Sequence, residues 1–172
     1  MKSATDTDKF VQLIRDYKGV IYKILYSYCK DADDRKDLQQ EILIQLWRSF
    51  ERNKPNVNLS GWVYRIALNV AISHYRKEIK RKERKTPIDD IVYNIHSVNY
   101  LDELDTNLSQ LYRFIHQLDP FNKALIMLYL EEKSHRDIAE ILGISETNVG
   151  TKISRIKKDL KDQATNKLML WN

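Results

Sequence analysis

The chain has 172 residues, 42% of them apolar, with a formal net charge of +5 and a pI of about 9.1. That length suits one medium domain or two small ones, and the basic balance points to an anionic partner. The single cysteine, Cys29, excludes an intramolecular disulfide and fits a reducing, cytoplasmic setting, while MKSATDTDKF has no apolar run to serve as a signal peptide and nothing reaches the apolar length of a membrane span.

With 4 glycines, 3 prolines and helical periodicity along most of its length, the chain reads as all-α. In FVQLIRDYKGVIYKILYSYC (10–29), Phe10, Leu13, Ile14, Ile21, Ile24 and Leu25 recur at helical spacing, as one helix or as two if Gly19 breaks the run. KDADDRKD (30–37) is a polar connection. DLQQEILIQLWRSF (37–50) is a strong helix: Leu38, Ile42 and Leu46, with Leu43, Trp47 and Phe50, can face the core. Ile44 stands on the otherwise polar side beside Glu41 and Arg48, as an apolar contact to a partner would; a helix that is simply well buried is the alternative. Pro55 and three asparagines mark 51–58 as a loop, and Ser60 is placed to cap the next helix.

That next helix, LSGWVYRIALNVAISHYRK (59–77), separates into two faces on a wheel. Val63, Ala67, Leu68, Val70 and Ala71 form an apolar arc with Tyr64 and Tyr75. Trp62, Arg65, Asn69, Ser73, Arg76 and Lys80 line the opposite stripe, aromatic at its start, polar in the middle and basic at its end. Unpaired nucleic acid needs such a set: a ring for stacking, an amide for base edges and cations for phosphates. A capping tryptophan with solvated arginines fits the same residues. The basic run RKEIKRKERK (76–85) follows and Thr86-Pro87 ends it. Residues 86–107 then turn acidic, with Asp89, Asp90, Asp102, Glu103 and Asp105, and read as a linker between domains at 1–85 and 108–172.

The second domain holds LSQLYRFIHQL, a break at Asp119-Pro120, FNKALIMLYLEEK, and then the pattern of a helix-turn-helix in RDIAEILGISETNVGTKISRI. Ile138 and Leu142 are core positions, Ala139 lets the helices approach, Gly143 suits a left-handed C-cap, Ile144 plugs the turn and Ser145 can cap the second helix. Val149, Ile153, Ile156 and Leu160 form the buried stripe of that helix. Its outer positions are Glu146, Thr147, Asn148, Thr151, Lys152, Ser154 and Arg155, with Lys157 and Lys158 set for phosphates. Gly150 is out of keeping in mid-helix, where glycine costs about 0.5–1 kcal/mol relative to alanine. It either admits a phosphate close to the backbone or is only tolerated. An ordinary helical hairpin is the alternative to the whole motif. The terminal KLMLWN reads as a strap on the core or a docking patch.

An enzyme is disfavoured. His74, His96, His116 and His135 are scattered, no His/Cys pair has metal spacing, and Asp33-Asp34 and Asp89-Asp90 sit in expected loops, so no metal or cofactor is expected.

Taken together and in order, DLQQEILIQLW, GWVYRIALNVAISHYRK and IAEILGISETNVGTKISRIKKDL resemble a bacterial RNA polymerase sigma factor of the extracytoplasmic-function group in the sigma-70 family. The resemblance implies two small helical domains. The first would bind the polymerase β′ clamp helices and melt the promoter's minus-ten element. The second would meet the β flap and bind the duplex minus-thirty-five element, and the acidic linker would thread into the polymerase cleft. It implies polymerase contacts at Asp37, Gln40 and Glu41, to which Ile44 and Arg48 add the same face. It implies minus-ten contacts at Trp62, Arg65, Asn69 and Ser73, phosphate contacts at Arg76, Lys77 and Lys80, and capture of a flipped-out base by the loop bearing Asn53, Asn56 and Asn58. It implies minus-thirty-five contacts at Thr147, Asn148, Thr151, Lys152, Ser154, Arg155 and Lys158. An anti-sigma factor often partners the family; no small-molecule substrate and no membrane insertion are implied. Three positions depart from the family pattern: Gln45 and Gly150 replace usually basic residues, and the 51–58 loop lacks an aromatic. A helix-turn-helix regulator acting without polymerase is the rival reading.

Overall fold

The computed structural model describes residues 4–52, 58–83 and 106–169. They form seven helices and, among the described residues, no strand, in two compact units divided between Asp105 and Thr106.

The first unit packs three helices pairwise: α1 (Ala4–Tyr28), α2 (Ala32–Arg52) and α3 (Leu59–Lys82). Glycine does not break α1, which runs through Gly19 without interruption. A β-carbon added at Gly19 would meet nothing within 4 Å, so the residue lies in open surface while its neighbours Ile21, Ile24 and Leu25 are buried. Burial of the flanking turns outweighs a propensity penalty of about 1 kcal/mol. The expected polar connection at 30–37 shrinks in the same way. Helix α2 begins at Ala32, with Asp33 and Asp34 in its first turn, where carboxylates favour the positive end of the dipole. Arg35 seals the α1–α2 corner: its Nη1 donates to the carbonyls of Lys30 (2.7 Å) and Cys29 (3.3 Å), and its guanidinium lies 4.4 Å from the Tyr26 ring centroid.

Leu38, Ile42 and Leu46 of α2 are fully buried at one-turn spacing against Val63, Ala67 and Leu68 of α3. Burial of each large aliphatic chain contributes about 1.5–3 kcal/mol. Trp47 is half-buried and closes the far end, its ring 4.9 Å edge-on from Phe10.

The cap of α3 differs from expectation. Ser60 lies inside the first turn, and Asn58 is the N-cap, its Oδ1 accepting from the Gly61 amide at 2.9 Å. Asn58 adopts a left-handed conformation (φ 50°, ψ 61°), which asparagine tolerates better than serine does. Gly61 is matched to it, because a β-carbon there would sit 2.7 Å from Asn58 Nδ2.

The second unit contains α4 (Thr106–Gln117), α5 (Pro120–Leu130), α6 (His135–Leu142) and α7 (Glu146–Met169). Helix formation at Thr106 takes the last two positions of the expected linker; residues 86–105, the rest of it, lie outside the described residues, as do 84 and 85. Asp119 caps α5, accepting from the amides of Phe121 and Asn122 at 3.0 Å, with Pro120 at the first helical position, where no amide is needed. Helix α5 packs against α4, α6 and α7, and its run from Lys123 to Leu128 is buried on every side. A helix surrounded in this way loses its polar stripe. The side chains of KLMLWN also fall outside the described residues.

Candidate functional site

The α3 stripe survives folding. Arg65, Asn69, Ser73, Arg76, Lys77 and Lys80 are exposed and Trp62 is half-buried. The apolar arc is wider than the wheel suggested, because α3 packs on both α1 and α2, and it takes in Ile72 and His74. Val70 is only half-buried and stands at the edge of the stripe. In the loop, Asn58 is exposed but its carbonyl oxygen is committed to the cap, which leaves the Nδ2 end as the part available to a base. Asn53 and Asn56 lie outside the described residues.

On α2, Asp37, Gln40, Ile44 and Arg48 are exposed and Glu41 is half-buried. Ile44 is 49% exposed, so the helix is not simply well buried at this position. Helices α2 and α3 bring Glu41, Ile44 and Arg48 together with Asn69, Ser73 and Lys77, but not Asp37, Gln40, Trp62, Arg65, Arg76 or Lys80. An open groove of about 590 Å³ lies between them, lined by Glu41, Ile44, Gln45, Arg48 and Ser49 from one helix and Ile66, Asn69, Val70, Ser73 and Lys77 from the other. Its walls offer aliphatic surface, amides, two cations and one carboxylate. Glu41 Oε2 is 3.5 Å from Nδ1 of His74 on α3. Residue-by-residue reasoning did not place Ser49, Ile66, Val70 or His74 at this groove, and noted Gln45 only as a departure from the family pattern, because a wheel drawn for one helix cannot show which residues of two helices meet.

The helix-turn-helix of the second unit is built by local signals. Ser134 caps α6, accepting from the Asp137 amide at 3.1 Å and donating to its carboxylate at 2.7 Å. Gly143 ends the helix in the left-handed region (φ 71°), and Ala139 O accepts from the amides of both Gly143 and Ile144. Ser145 Oγ accepts from the Asn148 amide at 3.2 Å and opens α7. Ile138, Ala139, Val149, Ile153 and Ile156 are buried as expected, and Leu142, Ile144 and Leu160 are half-buried.

Six of the seven candidate minus-thirty-five residues on α7 are exposed: Thr147, Asn148, Thr151, Ser154, Arg155 and Lys158. Lys152 is half-buried, its ammonium 5.5 Å from the Phe121 ring centroid. Thr151 already donates its hydroxyl to Thr147 O at 3.0 Å. Lys157 lies against α5, its Nζ 3.3 Å from the Tyr129 hydroxyl. At Gly150, a β-carbon would lie 3.6 Å from His135 Cε1, an ordinary contact, so the fold itself does not require glycine there.

Comparison with known proteins agrees with this division. Residues 13–81 match the family model for Sigma-70 region 2, and residues 108–160 match that for Sigma-70, region 4. The ECF RNA polymerase sigma factor SigW of Bacillus subtilis is 26% identical over 168 residues, covering 92% of this chain and 90% of its own. RNA polymerase sigma factor SigV of the same organism is 27% identical, covering 95% and 96%. Among solved structures, the sigma factor RpoE in a co-crystal with the anti-sigma factor NepR from Bartonella quintana superposes with a TM-score of 0.70 at 20% identity, over 91% of this chain and 97% of that one. The chain belongs to the sigma-70 family, in its extracytoplasmic-function group. Its class is thus that of a transcription initiation factor rather than a self-sufficient operator-binding regulator.

Proposed function

We propose that the two units divide promoter recognition between them, on behalf of a core RNA polymerase that supplies the catalysis. The first unit carries the polymerase contacts (Asp37, Gln40, Glu41, Ile44, Arg48) and the minus-ten contacts (Trp62, Arg65, Asn69, Ser73, Arg76, Lys77, Lys80). The observation that supports this most is the shared α2–α3 groove, which gathers members of both sets on one surface. Strand capture beside the polymerase contact means that separated DNA is held only where the enzyme is present. Stacking on one aromatic is worth about 1–3 kcal/mol per base, too little for a small unit to melt duplex unaided. The second unit reads duplex minus-thirty-five DNA through the N-terminal half of α7. Tethering two weak modules raises their joint affinity through effective concentration.

On this reading the chain is a non-enzymatic, cytoplasmic factor; no helix among the described residues is long and apolar enough to cross a membrane. An anti-sigma factor is a further partner to seek, as the RpoE co-crystal illustrates for that protein. In vitro transcription on promoters selected from genomic fragments tests the reading: purified core polymerase with this chain should initiate specifically, and no stimulation on any fragment overturns it. Trp62→Ala should keep duplex binding and lose strand opening. Unchanged permanganate reactivity at minus-ten thymines would remove Trp62 from the strand-holding set.

A further inference from the structure

His74 is a polar residue in an apolar position. It is 8% exposed, on the face of α3 that packs against the rest of the unit. Its Nδ1 lies 3.5 Å from Glu41 Oε2, and its Nε2 is buried with no hydrogen-bond partner among the described residues. A buried polar atom left unpaired is destabilising, so an aliphatic side chain would serve the core better. The one polar contact the ring does make is to Glu41, a wall of the α2–α3 groove. The preceding residue of α3, Ser73, lines the same groove.

We propose that His74 is a positioning residue that holds the Glu41 carboxylate in the orientation core polymerase binds, and so links the polymerase face of α2 to the strand-holding face of α3. This rests on the role given to Glu41 above. An untethered glutamate on a helix surface samples several rotamers, and ordering it on binding costs conformational entropy. A contact already made in the free protein removes part of that cost. The aliphatic packing of Leu38, Ile42 and Leu46 on α3 sets the spacing of the two helices but gives a carboxylate no direction.

The test is a binding cycle with full-length chain and core polymerase. His74→Leu should bind polymerase severalfold more weakly, up to about tenfold, because Glu41 must then be ordered on binding. It should do so with an unchanged or raised melting temperature and unchanged binding to minus-thirty-five duplex. His74→Asn, whose amide nitrogen falls near the place of Nδ1, should recover most of the affinity. In a Glu41→Ala background, His74→Leu should have no further effect. Native affinity in His74→Leu alongside a weakened Glu41→Ala, or independent losses that multiply in the double variant, overturns the proposal and leaves Glu41 its role. Native affinity in Glu41→Ala removes that role and the proposal with it. Should His74→Leu fail to fold, His74→Asn decides: loss of affinity equal to that of Glu41→Ala in a folded protein overturns the link through Nδ1.

Discussion

The two units solve recognition differently. In the second, the proposed DNA-reading surface is a local construction: Ser134, Gly143 and Ser145 set the ends of α6 and α7 within a dozen residues, and α7 is aimed by its own turn. In the first, the candidate surface is a groove between two successive helices, and neither α2 nor α3 forms it alone. The lesson is that a surface for regular duplex can be carried by one helix and its cap. The candidate surface of the first unit, proposed to meet both an enzyme and a separated strand, draws its residues from two helices.

The contrast can be broken first at the core. Leu46→Ala empties a fully buried site in the first unit and should cost about 2–5 kcal/mol, abolishing polymerase-dependent initiation. Duplex minus-thirty-five binding should persist, because the second unit has its own core; parallel loss of both activities would make the units one cooperative body. Chemical denaturation followed by helix content and by duplex binding separates these outcomes.

Next in size is the reading helix. Arg155→Ala should cost about 1–3 kcal/mol on the preferred minus-thirty-five sequence and much less on unrelated duplex. Equal loss on every sequence, measured by anisotropy at fixed salt, would make Arg155 a phosphate contact.

Asn58 sharpens the comparison at a loop. Asn58→Ala removes the cap in a left-handed residue and should destabilise by about 1–2 kcal/mol, whereas Asn58→Gly should cost only a few tenths. A glycine variant that is stable yet deficient in promoter opening would show that the amide also reads a base; full opening would confine Asn58 to capping.

The smallest effect compares two glycines. Gly19→Ala and Gly150→Ala should each stabilise by about 0.5–1 kcal/mol, since neither β-carbon meets an obstacle. If Gly150 admits a phosphate to the α7 backbone, its alanine variant alone should lose duplex affinity while gaining thermal stability. Calorimetry and duplex titration of the pair decide this.

Much was legible in the residues themselves, because it depends on near neighbours. Periodicity marks the helices, the Asp119-Pro120 and Gly143-Ile144-Ser145 signals mark their ends, and the order of motifs resembles the family to which the chain belongs. The exposed stripe of α3 is readable for the same reason, as a helix presents its faces at a fixed angular step whatever it packs against. Local signals left Gly19 open, and they misled where burial overrode them in 30–37 or where one cap outcompeted another, as Asn58 did Ser60. Tertiary packing alone decided the groove, the half-buried state of Lys152 and the contact of His74 with Glu41. Each depends on how two helices distant in sequence lie against one another, and periodicity along one helix carries no information about the register of its neighbour.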